Sequence, residues 1–397
     1  MPVSSKIARQ MEESSWIRKM FEEGLRLRKQ FGADSVFDFT LGNPDLDPPE
    51  AFQRRLRHLV EHPAKHMHGY MPNAGFPEAR EAVARWVSEE SGVDVPADHV
   101  ILCVGAGGGL NVVLKTILDA GDEVVVFSPY FVEYLFYIDN HGGVPVVAET
   151  GETFDFDLES LDARIGPRTR AVIVNSPNNP TGVVYAEASL RRVADLLREK
   201  SARFGQPIYL ISDDPYKKIL FDGAVYPHVF PIYEHSIVVY SHSKDLGLAG
   251  ERIGHIAVHP GADSAEKLLA GMVFAIRVLG FVNAPALMQL AVKDCLRDGI
   301  DPRVYERRRN VLYEALTGMG FDIVKPRGAF YMFPKSPVPD DREFVEECVK
   351  RNVLVVPGIG FGRAGYFRIS LTVPDRTIEN SLLAWREIAR TYGGVRA

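Results

Sequence analysis

The chain has 397 residues, of which 46% are hydrophobic and 25% charged, as expected for a globular protein with a sizeable core and about two domains. Its 46 Lys and Arg against 52 Asp and Glu leave a net charge of -6, which argues against a nucleic-acid or other polyanion binder. No apolar run reaches the about 18–20 residues needed to span a bilayer, the N-terminus carries no apolar signal core, and Cys103, Cys295 and Cys348 form neither a metal spacing nor a disulfide framework, so a cytoplasmic protein is expected.

The first thirty residues are predicted as one helix. Ile7, Met11, Ile17, Met20, Phe21, Leu25 and Leu27 recur at helical spacing, and Gly32 is the stop. A strand over Val36–Leu41 breaks at Gly42-Asn43-Pro44-Asp45, and helices follow over 49–62 and 76–91. From residue 100 short β-branched runs alternate with helical stretches: Val100–Val104, Glu123–Phe127, Val144–Ala148, Ala171–Asn175, Ile208–Ser212, Ser236–Ser241 and Gly254–Val258. Seven buried strands mostly separated by helices predict an α/β fold with a largely parallel central sheet covered on both faces. Beyond residue 264 the pattern is helical, with a long helix around 285–318, then strands near 321–333, 353–356 and 366–371. The two chain ends are expected to build a smaller α+β domain (1–48 and 285–397) beside a large domain (49–284).

Ligands of such sheets bind beyond the carboxyl ends of the strands. Gly105-Ala106-Gly107 follows the first strand and opens a helix, an arrangement that offers N–H groups to a phosphate or serves only as a tight turn. Asn179 lies in an ordered Pro/Gly loop after the fourth strand. Asp213 ends the fifth, as a carboxylate that needs a partner or as a helix cap. Lys244 follows the sixth, where desolvation suits a Schiff-base amine. A serine acyl-enzyme reading of Ser241-x-x-Lys244 lacks its companion motifs. Arg368 sits inside an apolar strand and suits either an ion pair or a bound carboxylate. Together these groups describe pyridoxal 5′-phosphate (PLP): a phosphate for Gly105–Gly107 and Arg252, a ring nitrogen for Asp213, a phenolic oxygen for Asn179 and Tyr216, and an aldehyde for Lys244.

In these motifs the chain resembles the class I/II aminotransferases of PLP fold type I, the aspartate aminotransferase superfamily. The resemblance is carried by Leu41-Gly42-Asn43-Pro44-Asp45, Tyr70-x-Pro-x-x-Gly75, Asn179-Pro-Thr-Gly182, Asp213-x-x-Tyr216, Ser241-x-Ser-Lys244, Arg252, Gly328-Ala329-Phe330-Tyr331 and Arg368, in register over nearly the whole chain. It implies a homodimeric transaminase that moves the amino group of an L-amino acid to a 2-oxo acid, 2-oxoglutarate being the expected acceptor. Lys244 would join the cofactor aldehyde and shuttle the proton, Asp213 would pair with the ring nitrogen, and Asn179 and Tyr216 would contact the ring hydroxyl. Ala106, Gly107, Ser241 and Arg252 would hold the phosphate, Phe131 would stack on the ring, and Arg368 with Gly42 and Asn179 would take the substrate α-carboxylate. Tyr70 would reach the phosphate of the neighbouring subunit.

The scaffold also admits a carbon–sulfur β-lyase, or a non-catalytic regulatory relative. Gly107 stands where some bacterial relatives carry a lysine for a distal carboxylate, Asn43 where many have glutamate, and Arg277 is the candidate distal-carboxylate reader, with a surface role as the alternative. His58, His62, His66 and His68 are spaced for a helix-face metal site, but Pro63 interrupts the helix, so no metal is expected.

Overall fold

Three strand ends position the cavity of this fold, because Asn175, Asp213 and Ser241 are each the last residue of a strand of the central sheet. The computed structural model describes residues 2–13 and 15–393. Its strands are β1 (Phe37–Asp38), β2 (Val100–Cys103), β3 (Glu123–Ser128), β4 (Val144–Glu149), β5 (Thr169–Asn175), β6 (Tyr209–Asp213), β7 (Ser236–Ser241), β8 (Gly254–Val258), β9 (Tyr331–Met332), β10 (Val353–Leu354), β11 (Val356–Pro357) and β12 (Phe367–Ser370). Among the described residues, seven form the central sheet in the order β2-β8-β7-β6-β5-β3-β4. Only β8 runs against its neighbours; the other pairings are parallel.

Alternation along each strand supplies two apolar faces. Val124, Val126, Ile173, Ile211, Val239 and Ile256 pack with the helices Gly105–Ile117 and Ala265–Val278. The intervening Val125, Val172, Val174, Leu210, Val238 and Ala257 pack with the helices Pro77–Ser91 and Glu187–Phe204 on the opposite face. Both faces are covered, which is why these strands read as continuous hydrophobic runs.

A separate apolar core joins the two chain ends. Met20 and Phe39 pack with Tyr305, Leu312, Phe344, Phe367 and Trp385. Parallel β1 and β10 form one small sheet, and β11-β12-β9 form an antiparallel one that carries Arg368.

Several sequence boundaries need correction. Of the predicted first helix, the described residues show Ser5–Glu13 and Ser15–Phe31 as helical, and Ser14 lies outside the described residues. The strand expected over Val36–Leu41 shortens to Phe37–Asp38, because the Asp38 carboxylate turns back to accept from the Thr40 backbone and hydroxyl. The long helix expected over 285–318 is interrupted. Ala286–Val292 ends early, and Asp301 caps a new helix, Pro302–Gly318, whose first residue is the proline. Of the strand expected near 321–333, only Tyr331–Met332 forms.

Among the described residues, no helix is long and apolar enough to cross a membrane. No group of three or more His, Cys, Asp or Glu there could hold a metal ion. His58 and His62 stack at 4.7 Å, and their helix ends at Glu61.

Candidate active site

A cavity of about 330 Å³ opens at the carboxyl ends of β5, β6 and β7 and is closed from the other side by Thr40–Gly42, Tyr331 and Arg368. Ser241, the last residue of β7, accepts from the Ser243 amide and caps the single turn His242–Asp245. That turn delivers Lys244 into the cavity, where its Nζ donates to the Gly42 carbonyl at 2.7 Å. Burial, then Arg368 and Arg252, lower the Lys244 pKa to about 8, so the neutral, nucleophilic amine is accessible near physiological pH.

Asp213 is the last residue of β6 and lies in register with Asn175 of β5. Tyr134 donates to its Oδ2 at 2.5 Å, while Oδ1 is buried with no hydrogen-bond partner among the described residues. Burial pushes its pKa up to about 7 against the lowering effect of the Tyr134 hydrogen bond. A buried carboxylate with one open oxygen is a ready acceptor for a cationic N–H.

Arg368 projects from β12. Its guanidinium donates to Asn179 Oδ1 at 3.0 Å and to the Thr40 carbonyl at 2.7 Å, and is sandwiched 4.6 Å from the rings of both Tyr331 and Phe361. Its Nε has no partner among the described residues. The stacking holds the fork while leaving donor capacity for a carboxylate. Asn179 is itself oriented by its backbone N–H to Asn175 Oδ1 at 2.7 Å. The Tyr216 and Tyr331 hydroxyls are 3.2 Å apart, and burial holds both phenols protonated.

Opposite, the helix Gly105–Ile117 begins with its first turn against the cavity, lined there by Ala106 and Gly107. Ser241 and Ser243 hydroxyls lie 2.7 Å apart, and Arg252 donates to Ser243 Oγ at 3.3 Å from the rim. Free helix N–H groups, two hydroxyls and a guanidinium form an anion cradle. Gly105 does not line the cavity. It adopts φ +75°, and a Cβ there would lie 2.7 Å from the Arg252 guanidinium.

The cavity therefore gathers Gly42, Ala106, Gly107, Phe131, Asn179, Asp213, Tyr216, Ser241, Lys244, Arg252 and Arg368. Tyr70 stands apart, 94% exposed. Arg277 is not among the lining residues; it is exposed and stacks on Phe274 at 5.2 Å. Sequence reasoning missed Tyr134, Tyr137, Ser243 and the hydroxyl contact of Tyr331. The i, i+3 spacing of Tyr134 and Tyr137, just after Phe131 in the loop that follows β3, was the available signal for the first two.

The segment Leu41–Asp45 is tied down by the Asp45 carboxylate, which takes Arg308 at 2.8 Å and the Tyr305 hydroxyl at 3.0 Å. A Cβ on Gly42 would lie 1.8 Å from the Tyr331 hydroxyl, so only glycine permits this approach.

The family model for aminotransferase class I and II matches residues 34–384. An aspartate/prephenate aminotransferase of Thermus thermophilus is 34% identical over 94% of this chain and 94% of its own. An aromatic-amino-acid aminotransferase of Thermococcus litoralis is 31% identical over 94% of this chain and 95% of its own. Among solved structures, an amino transferase from Eubacterium rectale superimposes with a TM-score of 0.96 at 36% identity, covering 99% of both chains. The aspartate aminotransferase of Thermus thermophilus with maleate gives 0.83 at 32% identity, covering 94% of this chain and 96% of that one.

Proposed function

Because the chain belongs to the aminotransferase class I and II family, we infer that it holds PLP on Lys244 and moves the amino group of an L-amino acid to a 2-oxo acid, with 2-oxoglutarate as the expected acceptor. The observation that carries this reading is one cavity holding an amine of lowered basicity, Lys244, together with a buried carboxylate that has an open oxygen, Asp213. These residues fit the cofactor. Ala106, Gly107, Ser241, Ser243 and Arg252 would hold the phosphate, Asp213 the ring nitrogen, Asn179 and Tyr216 the ring hydroxyl, and Phe131 a ring face. When bound, the cofactor supplies an electron sink for charge developing at the substrate Cα.

The chain's own residues do the rest. Arg368, steadied by Tyr331 and Phe361, binds the α-carboxylate and fixes which bond at Cα faces Lys244. Lys244 Nζ then accepts the Cα proton as a general base, a role that its lowered pKa favours. Asp213, once a cation pairs with Oδ1, is held ionised and keeps the ring nitrogen protonated. The same reading makes the protein a homodimer in which Tyr70 serves the partner's site, and divides the chain into 49–284 and 1–48 with 285–397; two separate apolar cores support two units, but Met288, Val292 and Leu296 pack with the larger core and Tyr216, Ile219 and Phe221 with the smaller.

Borohydride treatment of protein incubated with PLP should fix the pyridoxyl label on Lys244. A label on another lysine would refute the assignment. Loss of amino-acid substrate should depend on a 2-oxo acid acceptor; release of pyruvate and ammonia without one would identify a lyase instead.

A further inference from the structure

The residue after the reacting lysine belongs to a buried charge cluster that is not part of the cavity lining. Asp245 follows Lys244 on the same single turn, and its side chain is fully buried. Its Oδ2 accepts from the Tyr240 hydroxyl at 2.7 Å and contacts His242 Nδ1 at 3.2 Å and Lys218 Nζ at 3.1 Å. Its Oδ1 has no partner among the described residues. Lys218 Nζ also donates to the carbonyls of Leu296 and Asp298, at 2.7 Å each. An ammonium has three protons to give, so this one is fully used. The Asp245 carbonyl in turn accepts from the Ile300 amide at 2.7 Å. One direct bond and the Lys218 bridge therefore tie the turn that carries Lys244 to the segment 296–300.

We propose that Lys218 is a positioning residue for Lys244: through Asp245 it fixes the turn that presents the amine and balances the buried negative charge on the next residue of that turn. The proposal rests on the assignment of Lys244 as the reacting amine. The ionisable groups lining the cavity with Lys244 include Asp213, Arg368 and Arg252, of which the two guanidiniums oppose its protonation. By itself Asp245 would favour protonation, and Lys218 offsets it. A neutral residue at 218 leaves the carboxylate only His242 and the Tyr240 hydroxyl as side-chain partners, so it is less fully balanced and makes Lys244 more basic. A neutral residue at 245 leaves the ammonium uncompensated and makes Lys244 less basic.

The test is the pH profile of Lys244 modification by an amine-reactive reagent in the cofactor-free protein, read site by site by peptide mass spectrometry. Lys218→Met should move the midpoint up by about one pH unit, and Asp245→Asn should move it down. Lys218→Arg should restore the wild-type midpoint by keeping the charge. The double variant Lys218→Met/Asp245→Asn should return close to wild type, a cancellation that loss of packing would not produce. Equal midpoints in all variants, or shifts of the same sign in both single variants, would overturn the proposal. If Lys218→Met does not fold, Asp245→Asn and Lys218→Arg decide alone: an Asp245→Asn midpoint at or above that of wild type, or a Lys218→Arg midpoint away from it, overturns it. Failure of the wild-type protein to take the pyridoxyl label on Lys244 would refute the functional assignment instead, independently of these midpoints.

Discussion

Arg368 shows how one side chain can be both buried and available. Two aromatic rings and two acceptors hold its guanidinium, yet Nε remains open among the described residues. Arg368→Lys keeps the charge and loses the planar fork. The expected result is a fall in kcat/KM of at least tenfold for every amino donor, measured in the first half-reaction. A loss confined to dicarboxylic donors would mean that Arg368 reads the side chain. Asp213 makes the opposite demand. Its folded pKa, about 7, lies above the ordinary carboxylate value, so the group stabilises the fold when protonated, and that contribution is lost as the pH rises through about 7. Asp213→Asn should therefore stabilise the cofactor-free protein by about 2–4 kcal/mol at pH 8 and by clearly less at pH 5. Turnover of the loaded enzyme should fall a hundredfold or more. Thermal melts at the two pH values check the first statement, and steady-state assays the second.

At the scale of elements, the junction of β2 with the helix Gly105–Ile117 matters most. The strand stops at Cys103, and Gly105 turns the chain through a left-handed conformation so that the helix points its first turn into the cavity. Gly105→Ala meets two costs, about 1–2 kcal/mol for the backbone and a collision with the Arg252 guanidinium. Gly92→Ala is the control, since φ is +71° there and a Cβ would meet nothing within 4 Å. Both variants should melt lower, but only Gly105→Ala should release PLP on dialysis. Equal retention by the two would separate Gly105 from the phosphate cradle. The interruption between Val292 and Pro302 has its own use, because residues 296–300 supply the groups that clamp the Lys244 turn.

At the scale of the whole molecule, Tyr70 is the residue the single chain does not explain. Its ring is 94% exposed, and under the proposed homodimer it would reach the partner's site. Lys244→Ala and Tyr70→Ala chains, unfolded together and refolded, should regain activity that neither parent has, up to about a quarter of wild type if pairing is random. No recovery, with a clearly impaired Tyr70→Ala parent, would place Tyr70 in its own chain's site.

The sequence by itself determined the sheet and most of the cavity. Buried strands must be apolar on both faces, and a polar residue at the end of such a strand must have a reason to be there, so Asn179, Asp213, Lys244 and Arg368 were legible one at a time. Local pattern could not decide the register that sets Asn175 beside Asp213, or the path of helix Glu133–Asn140 that brings Tyr134 onto the same carboxylate. It also could not show that Gly105 leaves room for the Arg252 guanidinium, or that Lys218 pairs with Asp245, the residue after Lys244. These relations join residues distant in sequence, and they exist only after the chain has packed. Hydrophobic periodicity specifies which face of an element is buried, whereas the partner that meets a polar group is chosen by tertiary contacts that no local window contains.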